Sequence, residues 1–394
     1  MLPRSATKIL FTLSSAEMFL RAGKFVFFLL LAKLLTPELF GDYIYFTACF
    51  ALVFVLSDFG ISKIITKELS SDKEFDLLPL FWMRLLLLVV ATAILFIILQ
   101  RGYALVSLVG VLFFLDAISE MFYSIYRARE EFFIEGKIKF FIASAYLFSS
   151  ALLYFYQSID AYSALVIVAV LYGAIVLPYF KHLEIKLVPL KYKVVKLLFG
   201  EGFVLVLGAV FTIAYLRLDL FMIEYFLSSS SVASYGVSSK VIELAMIFPI
   251  VISTFLLPNM IKSKQFNSHG IFQQLILGLV IGAIFIVTAP YMLGLFFPNY
   301  DDAVVLVQIL SVGIVFLMIN NYLFTGFIAH KKSIYYLYTT STMLIANALL
   351  NTIYIPLYGI EAAAYTTVFS ELLGMLVALY LYIKLPSSLK NQKR

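Results

Sequence analysis

The sequence predicts an all-α polytopic membrane protein with twelve transmembrane helices, and three observations lead to this fold class. Twelve apolar stretches cover nearly the whole chain, and each is close to the roughly 20 residues that span a bilayer core. Hydrophobic residues make up 63% of the 394 residues and the mean hydropathy is +1.00, values that soluble domains do not reach. Basic residues collect in alternate gaps between the stretches.

The predicted spans follow one another with short gaps. In the first half of the chain they cover residues 9–32, 40–57, 77–99, 103–126, 140–157 and 161–180. In the second half they cover residues 200–227, 232–257, 271–297, 303–329, 334–355 and 362–383. The first run follows Arg4 and Lys8 as a signal peptide would, but it is too long and contains Glu17, Arg21 and Lys24. It is therefore assigned as the first membrane helix.

The distribution of Lys and Arg predicts the orientation of these spans. Of 29 basic residues, 22 fall in one alternating set of gaps and two, Lys33 and Arg101, fall in the other set. Because cytoplasmic loops are enriched in Lys and Arg, both termini are expected in the cytoplasm of a multi-pass protein of the cell (inner or cytoplasmic) membrane. Basic residues spread over many loops indicate lipid head groups as neighbours and argue against nucleic acid.

Weak internal matches predict two parallel-repeat six-helix lobes around a central cleft. An offset of 201 places residues 127–131 on 328–332, and it also relates the entries to spans 6 and 12. The predicted domains are an N-terminal lobe, residues 1–186, a cytoplasmic basic linker, residues 187–199, and a C-terminal lobe with a cytoplasmic tail, residues 200–394. Parallel repeats of this kind occur in some transporter classes, in which the cleft opens to one side at a time.

Charged residues inside the spans are candidate functional residues, because each costs roughly 2.5–3.5 kcal/mol at the bilayer centre. Glu17, Arg21 and Lys24 share one helix face, which either pairs Glu17 with Arg21 and leaves Lys24 unpaired or lines a hydrated cavity. Asp116 and Glu120 also share a face, so a protonated carboxyl, a cation or partners from other helices are expected.

In the second half, Arg217 is expected to face the cavity while Asp219 faces the interior of its own lobe. Lys240, with Glu243, is either a snorkelling or paired interfacial charge or a functional one. Arg84, beside Trp82, is expected to anchor its helix at the membrane interface.

A second polar set predicts either contacts between helices or a site for a coupling ion. Asn347 and Asn351 lie one turn apart, and with Asp219 and Thr366 or Thr367 they would offer the oxygen ligands that hard cations prefer. Glu371 is an alternative proton carrier. Na⁺ or H⁺ is the expected coupling ion, and no other cofactor is expected.

Several enzyme classes find no support in the sequence. There is no Gly-rich phosphate loop followed by Lys and Ser or Thr, and no Ser or Cys nucleophile has a His partner at a plausible depth. The chain has one cysteine, Cys49, and three scattered histidines, so neither a Cys-based metal site nor a catalytic dyad is predicted. The chain is therefore expected not to be an enzyme, and any work must come from an ion or substrate gradient.

Several motifs resemble polysaccharide transporters of the multidrug/oligosaccharidyl-lipid/polysaccharide (MOP) exporter superfamily. Arg21 with residues 29–43 is similar to the opening of these proteins, and residues 58–61 are similar to their turn after helix 2. The other motifs are found at residues 216–219, 233–240 and 355–364. In the last of these, Glu361 and Ala362 stand where a small residue or Gly is usual.

The resemblance implies a MATE-like fold and a flippase of the O-antigen type. Such a protein moves a polyprenyl-(pyro)phosphate-linked oligosaccharide from the cytoplasmic to the outer leaflet for cell-surface polysaccharide biosynthesis. A basic cleft would attract the phosphate, with Arg21, Lys24, Arg217 and Lys240 as its contacts. Expected partners are the lipid-linked oligosaccharide, membrane lipids and other polysaccharide-assembly proteins.

Two alternatives stay open from the sequence. The first is a cation-coupled multidrug or organic-cation exporter of the same superfamily, whose cavity would favour carboxylates and aromatic residues. The second is an integral membrane polysaccharide polymerase or glycosyltransferase, which would need a larger outer loop than the sequence contains.

Overall fold

The computed structural model describes residues 4–71, 78–156, 160–182, 203–249 and 268–385, together with positions 252, 253, 256, 260 and 266. All regular elements in these ranges are helical. In the first half they are α1 (Arg4–Leu34), α2 (Pro37–Asp58), α3 (Ile61–Ser71), α4 (Leu78–Leu99), α5 (Tyr103–Ala128), α6 (Phe132–Phe155) and α7 (Ala161–Val176), which continues as a 3₁₀ turn (Leu177–His182). In the second half they are α8 (Phe203–Phe226), α9 (Ser229–Ala245), α10 (Ser268–Phe296), α11 (Asp302–Ala329), α12 (Ser333–Tyr358) and α13 (Ile360–Ile383).

Each of the twelve predicted spans overlaps one long helix. Among the residues that the structure describes, eight helices are long and apolar enough to cross a membrane: α2, α4, α5, α6, α7 with its 3₁₀ turn, α10, α11 and α13. Of the other four helices, α9 is shorter, α1 contains more charged residues and α12 more polar ones, while α8 has 24 residues with Arg217, Asp219 and Glu224 in its second half. The protein is therefore a multi-pass membrane protein, and the full count of twelve spans stays a prediction.

One helix, α3, was not predicted. Its apolar residues Ile61, Ile64, Ile65 and Leu69 recur at helical spacing and are all buried. The helix has 11 residues, about half of what a bilayer core requires, so it does not span a membrane. It packs mainly against α5.

The chain divides into two compact units: unit 1 comprises Met1–Thr36 and Phe46–Ile213, and unit 2 comprises Pro37–Tyr45 and Ala214–Arg394. In unit 1, α5 is the central helix, contacting α3, α4, α6 and α7, while α1 packs along α6. In unit 2, α11 contacts α9, α10, α12 and α13. The predicted linker, residues 187–199, lies outside the described residues, and the predicted domain boundaries stay a prediction.

The turns after the two central helices are built alike, as the predicted repeat requires. Glu130, between α5 and α6, and Lys331, between α11 and α12, both adopt left-handed backbone conformations, with φ of 60° and 58°. Four backbone hydrogen bonds of the first turn recur in the second with each donor and acceptor shifted by 201 positions. The same offset appeared in the sequence.

The outer surfaces of several helices are apolar, as lipid contact requires. On α4 the buried residues are confined to the first half, from Leu78 to Leu88, and the second half is partly or fully exposed within the described part of the chain. The exposed side chains of α4 include Leu86, Val89, Ile94, Ile97 and Ile98. Exposed apolar surface on this scale is typical of a helix in contact with lipid, because a soluble protein would bury it.

Candidate functional site

Unit 1 contains a cavity of about 640 Å³. Its walls are formed by α1, α2, α5 and α6, and the residues that line it are Glu17, Leu20, Arg21, Lys24, Phe54, Phe113, Asp116, Glu120, Tyr123, Arg127, Glu135 and Lys139. Asp116 and Arg127 lie 11 residues apart on α5, which corresponds to about 16 Å along the helix axis. The cavity therefore extends from the α5–α6 turn toward the middle of the unit.

Close packing of α1 on α6 positions the side chains of two of these walls. A Cβ atom added to Gly23 would lie 2.9 Å from the carbonyl oxygen of Ala143, so the backbones approach as closely as glycine allows. Aromatic contacts lie on either side of this crossing: Phe19 stacks on Phe140 and Phe27 meets Tyr146 edge-on. The crossing brings the charged face of α1 toward the charged residues of α6.

The cavity is lined by four acidic and four basic residues, joined in pairs. Glu135 has a side chain that is 1% exposed, and it accepts hydrogen bonds from Arg127 Nε and Nη2, the shortest at 2.7 Å. Lys139 Nζ lies 2.8 Å from Glu135 and 2.9 Å from Glu17. Arg127 Nη1 also donates to Glu120 at 3.0 Å. Burial of these charges is tolerated because each has a partner of opposite sign.

The three predicted charges of α1 all line this cavity. Arg21 Nε donates to Glu17 Oε1 at 2.9 Å, which is the ion pair expected from their spacing. One interpretation of the sequence left Lys24 without a partner, but the structure pairs it with Asp116. Its Nζ contacts both carboxylate oxygens of Asp116 at 2.9 and 3.0 Å, and Tyr172 donates to the same carboxylate at 2.7 Å. Asp116 therefore finds its partners on other helices.

Tyr123 contributes a polar atom with no hydrogen-bond partner in the described part of the chain. Its hydroxyl is buried, and the ring lies beneath two cations, with Lys139 Nζ at 4.9 Å and Arg127 Cζ at 5.9 Å from the ring centroid. A buried hydroxyl without a partner is costly, and one that lines a cavity can bind a ligand oxygen. Tyr123 is therefore a candidate ligand contact that the sequence did not indicate.

The predicted basic cleft lies between the lobes and stays a prediction; the charged residues of the unit 1 cavity are balanced. One expectation about charge is corrected here. Arg127 and Lys139 had been counted among loop residues in the charge bias, but they lie on α5 and α6 and line the cavity. Helical spacing could have indicated both: Glu135 and Lys139 are four residues apart, and Glu120 and Arg127 are seven apart.

Arg84 is not an interface anchor. Its side chain is 1% exposed, and Nη1 lies 2.8 Å from Asp58 Oδ1 and 2.7 Å from the Ser62 hydroxyl. The guanidinium also lies 5.3 Å from the ring centroid of Phe54, a residue that lines the cavity. The Asp58–Arg84 pair holds α4 against the turn between α2 and α3, so the polar residue of the motif at 58–61 has a structural role.

The other two predicted phosphate contacts lie in unit 2 and share one carboxylate. Lys240 Nζ contacts Glu243 at 2.5 Å, and Arg217 Nη1 lies 3.5 Å from the other oxygen of the same carboxylate. All three side chains are partly exposed, between 24% and 36%. Lys240 is thus a paired charge, and the phosphate role of both residues stays a proposal.

Asp219 lies in the interior of unit 2, as predicted, and neutral groups surround it. Its oxygens accept hydrogen bonds from Tyr235 at 2.5 Å, from Asn351 at 2.6 Å and from Thr367 at 2.7 Å. Asn351 in turn contacts Asn347 at 3.0 Å, and the Thr366 hydroxyl donates to Asn351. The predicted set therefore comes together from α8, α9, α12 and α13, with Tyr235 as a member that the sequence did not indicate.

Glu371 occupies a separate polar cluster in the same unit. It accepts a hydrogen bond from Tyr215 and another from Asn320, both at 2.8 Å. Among the described residues neither Glu371 nor Asp219 forms an ion pair. A group of at least three His, Cys, Asp or Glu side chains able to hold a metal is not found in the described ranges. The oxygen atoms around Asp219 nonetheless have the chemistry that a hard monovalent cation or a proton requires.

Comparison with known proteins places this geometry in context. A protein-family model described as "Polysaccharide biosynthesis protein" matches residues 30–265. No match was found among curated proteins. Among solved structures, lipid II flippase MurJ in an inward closed conformation is 17% identical with a TM-score of 0.62, covering 96% of this chain and 88% of that chain.

Two further solved structures have the same fold. An inward-facing multidrug resistance MATE family transporter of the MOP superfamily is 12% identical with a TM-score of 0.71, covering 94% of this chain and 95% of that chain. A MOP superfamily transporter from Pyrococcus furiosus, described by the reverse polarity of its binding pocket, is 14% identical with a TM-score of 0.66, covering 98% and 97%. The predicted MATE-like fold is confirmed.

Proposed function

Because this chain belongs to the polysaccharide biosynthesis protein family, we propose that it flips a polyprenyl-(pyro)phosphate-linked oligosaccharide across the cell membrane. The movement runs from the cytoplasmic to the outer leaflet by alternating access and serves cell-surface polysaccharide biosynthesis. The lipid-linked oligosaccharide and membrane lipids are its partners, with other polysaccharide-assembly proteins as further ones. The observation that carries the proposal is the charged cavity of unit 1.

The cavity suits the polar part of such a ligand. A bilayer core excludes phosphate and sugar groups, so a flippase needs a polar cavity at membrane depth. Arg21 is the most exposed cation of the cavity, and arginine offers planar, bidentate geometry to phosphate. The Tyr123 hydroxyl and the carboxylates of the cavity offer hydrogen bonds to a sugar. Lys24 in this unit, and Arg217 and Lys240 in unit 2, are the further phosphate contacts.

The sidedness of the chain can be tested directly. In the proposed topology both termini are cytoplasmic, and the cavity reaches the cytoplasmic α5–α6 turn. The native Cys49 is buried, so an engineered surface cysteine is the reporter. An impermeant thiol reagent applied outside cells is expected to modify Asn299→Cys and to leave Arg129→Cys unmodified until the cells are opened. The reverse pattern would invert the topology, and the cavity would then open to the outer side.

Transport itself is tested by flipping a fluorescent polyprenyl-diphosphate oligosaccharide in proteoliposomes. Arg21→Ala and Arg217→Ala are expected to slow flipping at least tenfold, because hydrogen bonds to charged groups contribute about 1.5–3 kcal/mol. Arg21→Lys should recover only part of the rate, since the planar fork is lost. The control is Arg129→Ala, an exposed residue at the α5–α6 turn, which should keep the wild-type rate. Full activity of the two alanine variants would refute the phosphate role.

The polar set around Asp219 is proposed as the site of a coupling cation, Na⁺ or H⁺. Asp219, Asn347 and Asn351 supply oxygen atoms in the interior of unit 2, where a lone carboxylate is costly. Rotation of the hydroxyls of Tyr235 and Thr367 would turn lone pairs toward a cation in place of the protons they now donate. A cation biases the transport cycle only through a difference in affinity between two conformations. Glu371 is the alternative proton site.

Imposed gradients in the same proteoliposomes test the coupling. Flipping is expected to respond to a Na⁺ or pH gradient, and Asp219→Asn should blunt that response, whereas Asp160→Asn, at an exposed helix start, should not. If only Glu371→Gln blunts a pH response, the proton site is Glu371. Indifference to both gradients in the wild type would make the carrier uncoupled.

One observation favours the alternative of a cation-coupled organic-cation exporter. The balanced cavity includes Glu17, Asp116 and Glu120 together with Phe54 and Phe113, which could bind a lipophilic cation. The two functions differ in what the purified protein transports. Uptake of ethidium or a similar cation into proteoliposomes, with no flipping of the lipid-linked sugar, would favour the exporter.

A further inference from the structure

The four cations of the unit 1 cavity are held with different strength. Arg127 forms a bidentate pair with buried Glu135 and a further bond to Glu120. Lys139 is 8% exposed and contacts two carboxylates. Arg21, in contrast, is 65% exposed and makes a single ion pair in the described part of the chain. Of the four cations, the Arg21 guanidinium therefore loses the fewest ion-pair contacts when it changes partner.

Glu17, the carboxylate of that ion pair, also has a second partner that it can keep when Arg21 leaves. Glu17 divides its two oxygens, with Oε1 accepting from Arg21 and Oε2 lying 2.9 Å from Lys139. If Arg21 turns away, Glu17 keeps Lys139 as its counter-ion and is not left unpaired. Lys24 offers no such exchange, since it holds both oxygens of Asp116.

We propose that Glu17 is an internal counter-anion, which the phosphate group of the ligand displaces from Arg21. This inference rests on the proposed function and explains how a charge-balanced cavity accepts an anion. Glu17 keeps Arg21 compensated when no anion is bound, and an uncompensated arginine would be costly at membrane depth. The same carboxylate competes for Arg21 when the ligand leaves, so it weakens binding and favours release.

The test measures binding of inorganic pyrophosphate to the purified protein in nanodiscs by isothermal titration calorimetry. Glu17→Gln is expected to lower the Kd about twofold to fivefold, the range that exposed ion pairs allow. Glu120→Gln is the matched control, because it removes the same charge from the same cavity but from a partner of Arg127. Its effect should be smaller, since Arg127 keeps its bidentate bonds to Glu135. When Arg21 is already replaced by Gln, Glu17→Gln should no longer lower the Kd more than Glu120→Gln does.

The outcomes separate this inference from the proposed function. If Glu17→Gln and Glu120→Gln lower the Kd for pyrophosphate equally, the effect comes from the loss of a negative charge in general. That result would overturn the displacement of Glu17 from Arg21. Weaker binding by Glu17→Gln would overturn it too, and would make Glu17 a residue that positions Arg21. If Arg21→Gln abolishes pyrophosphate binding while Glu17→Gln leaves the Kd unchanged, the phosphate site stands without displacement. Absence of pyrophosphate binding to the wild type would refute the phosphate site and the displacement together.

Discussion

Glu135 is expected to be the carboxylate on which the stability of unit 1 depends most. It is 1% exposed and neutralises two cations, Arg127 through a bidentate contact and Lys139 through a 2.8 Å contact. Removing one partner of a buried ion pair typically costs about 3–5 kcal/mol. Here each cation keeps a second carboxylate, Glu120 or Glu17, so the expected loss for Glu135→Gln is near the lower end, about 3 kcal/mol.

The measurement is denaturant unfolding in detergent micelles, followed by the fluorescence of Trp82. This residue is the only tryptophan in the chain and belongs to unit 1, so the signal reports on the relevant helices. The control is Glu131→Gln, which makes the same chemical change at an exposed position just before the start of α6. It should change the free energy of unfolding by less than about 0.5 kcal/mol. A Glu135→Gln variant no less stable than this control would refute the assignment of Glu135 as the buried centre of the network.

Three further predictions concern packing and turns. Asp58→Ala should cost about 3–5 kcal/mol, because it leaves the buried Arg84 without its carboxylate; the unfolding assay above measures it, and a loss below 1 kcal/mol would contradict the pairing. Gly278→Ala should destabilise unit 2, since a Cβ atom there would lie 2.7 Å from Val315 Cα; a lower yield of folded protein in size-exclusion chromatography checks this. Gly359→Ala should cost about 1–3 kcal/mol, because φ is +72° and ψ is −155°, a region that glycine almost alone adopts; wild-type thermal stability would contradict that backbone.

The helices could be predicted because a bilayer imposes one length and one composition on every span. The same rule explains why α3 was missed, since its pattern of Ile61, Ile64, Ile65 and Leu69 is too short to register as a span. Its helical periodicity was present in the sequence, and a search for short amphipathic segments beside spans would have found it.

The two polar networks differ in how far the sequence anticipated them. Asp219, Asn347 and Asn351 could be grouped because polar residues within apolar spans satisfy one another. The partner of Lys24 could not be chosen, because Asp116 lies on a different helix and only tertiary packing brings them within 2.9 Å. The role of Lys139 in the cavity was missed for another reason. A basic residue near the end of a span agrees with the positive-inside rule wherever its side chain lies, so the sequence offered no reason to place it in a cavity.

The matching turns after α5 and α11 set off a difference between the two units. The backbone hydrogen bonds of the turns agree at a constant offset, while the side chains around them differ. The units also differ in how they keep charge at membrane depth. One half balances carboxylates against cations, and the other surrounds its buried carboxylates with neutral amides and hydroxyls. Substitutions among the charged side chains of the first unit can therefore accumulate without altering the neutral hydrogen-bond set that surrounds Asp219 in the second.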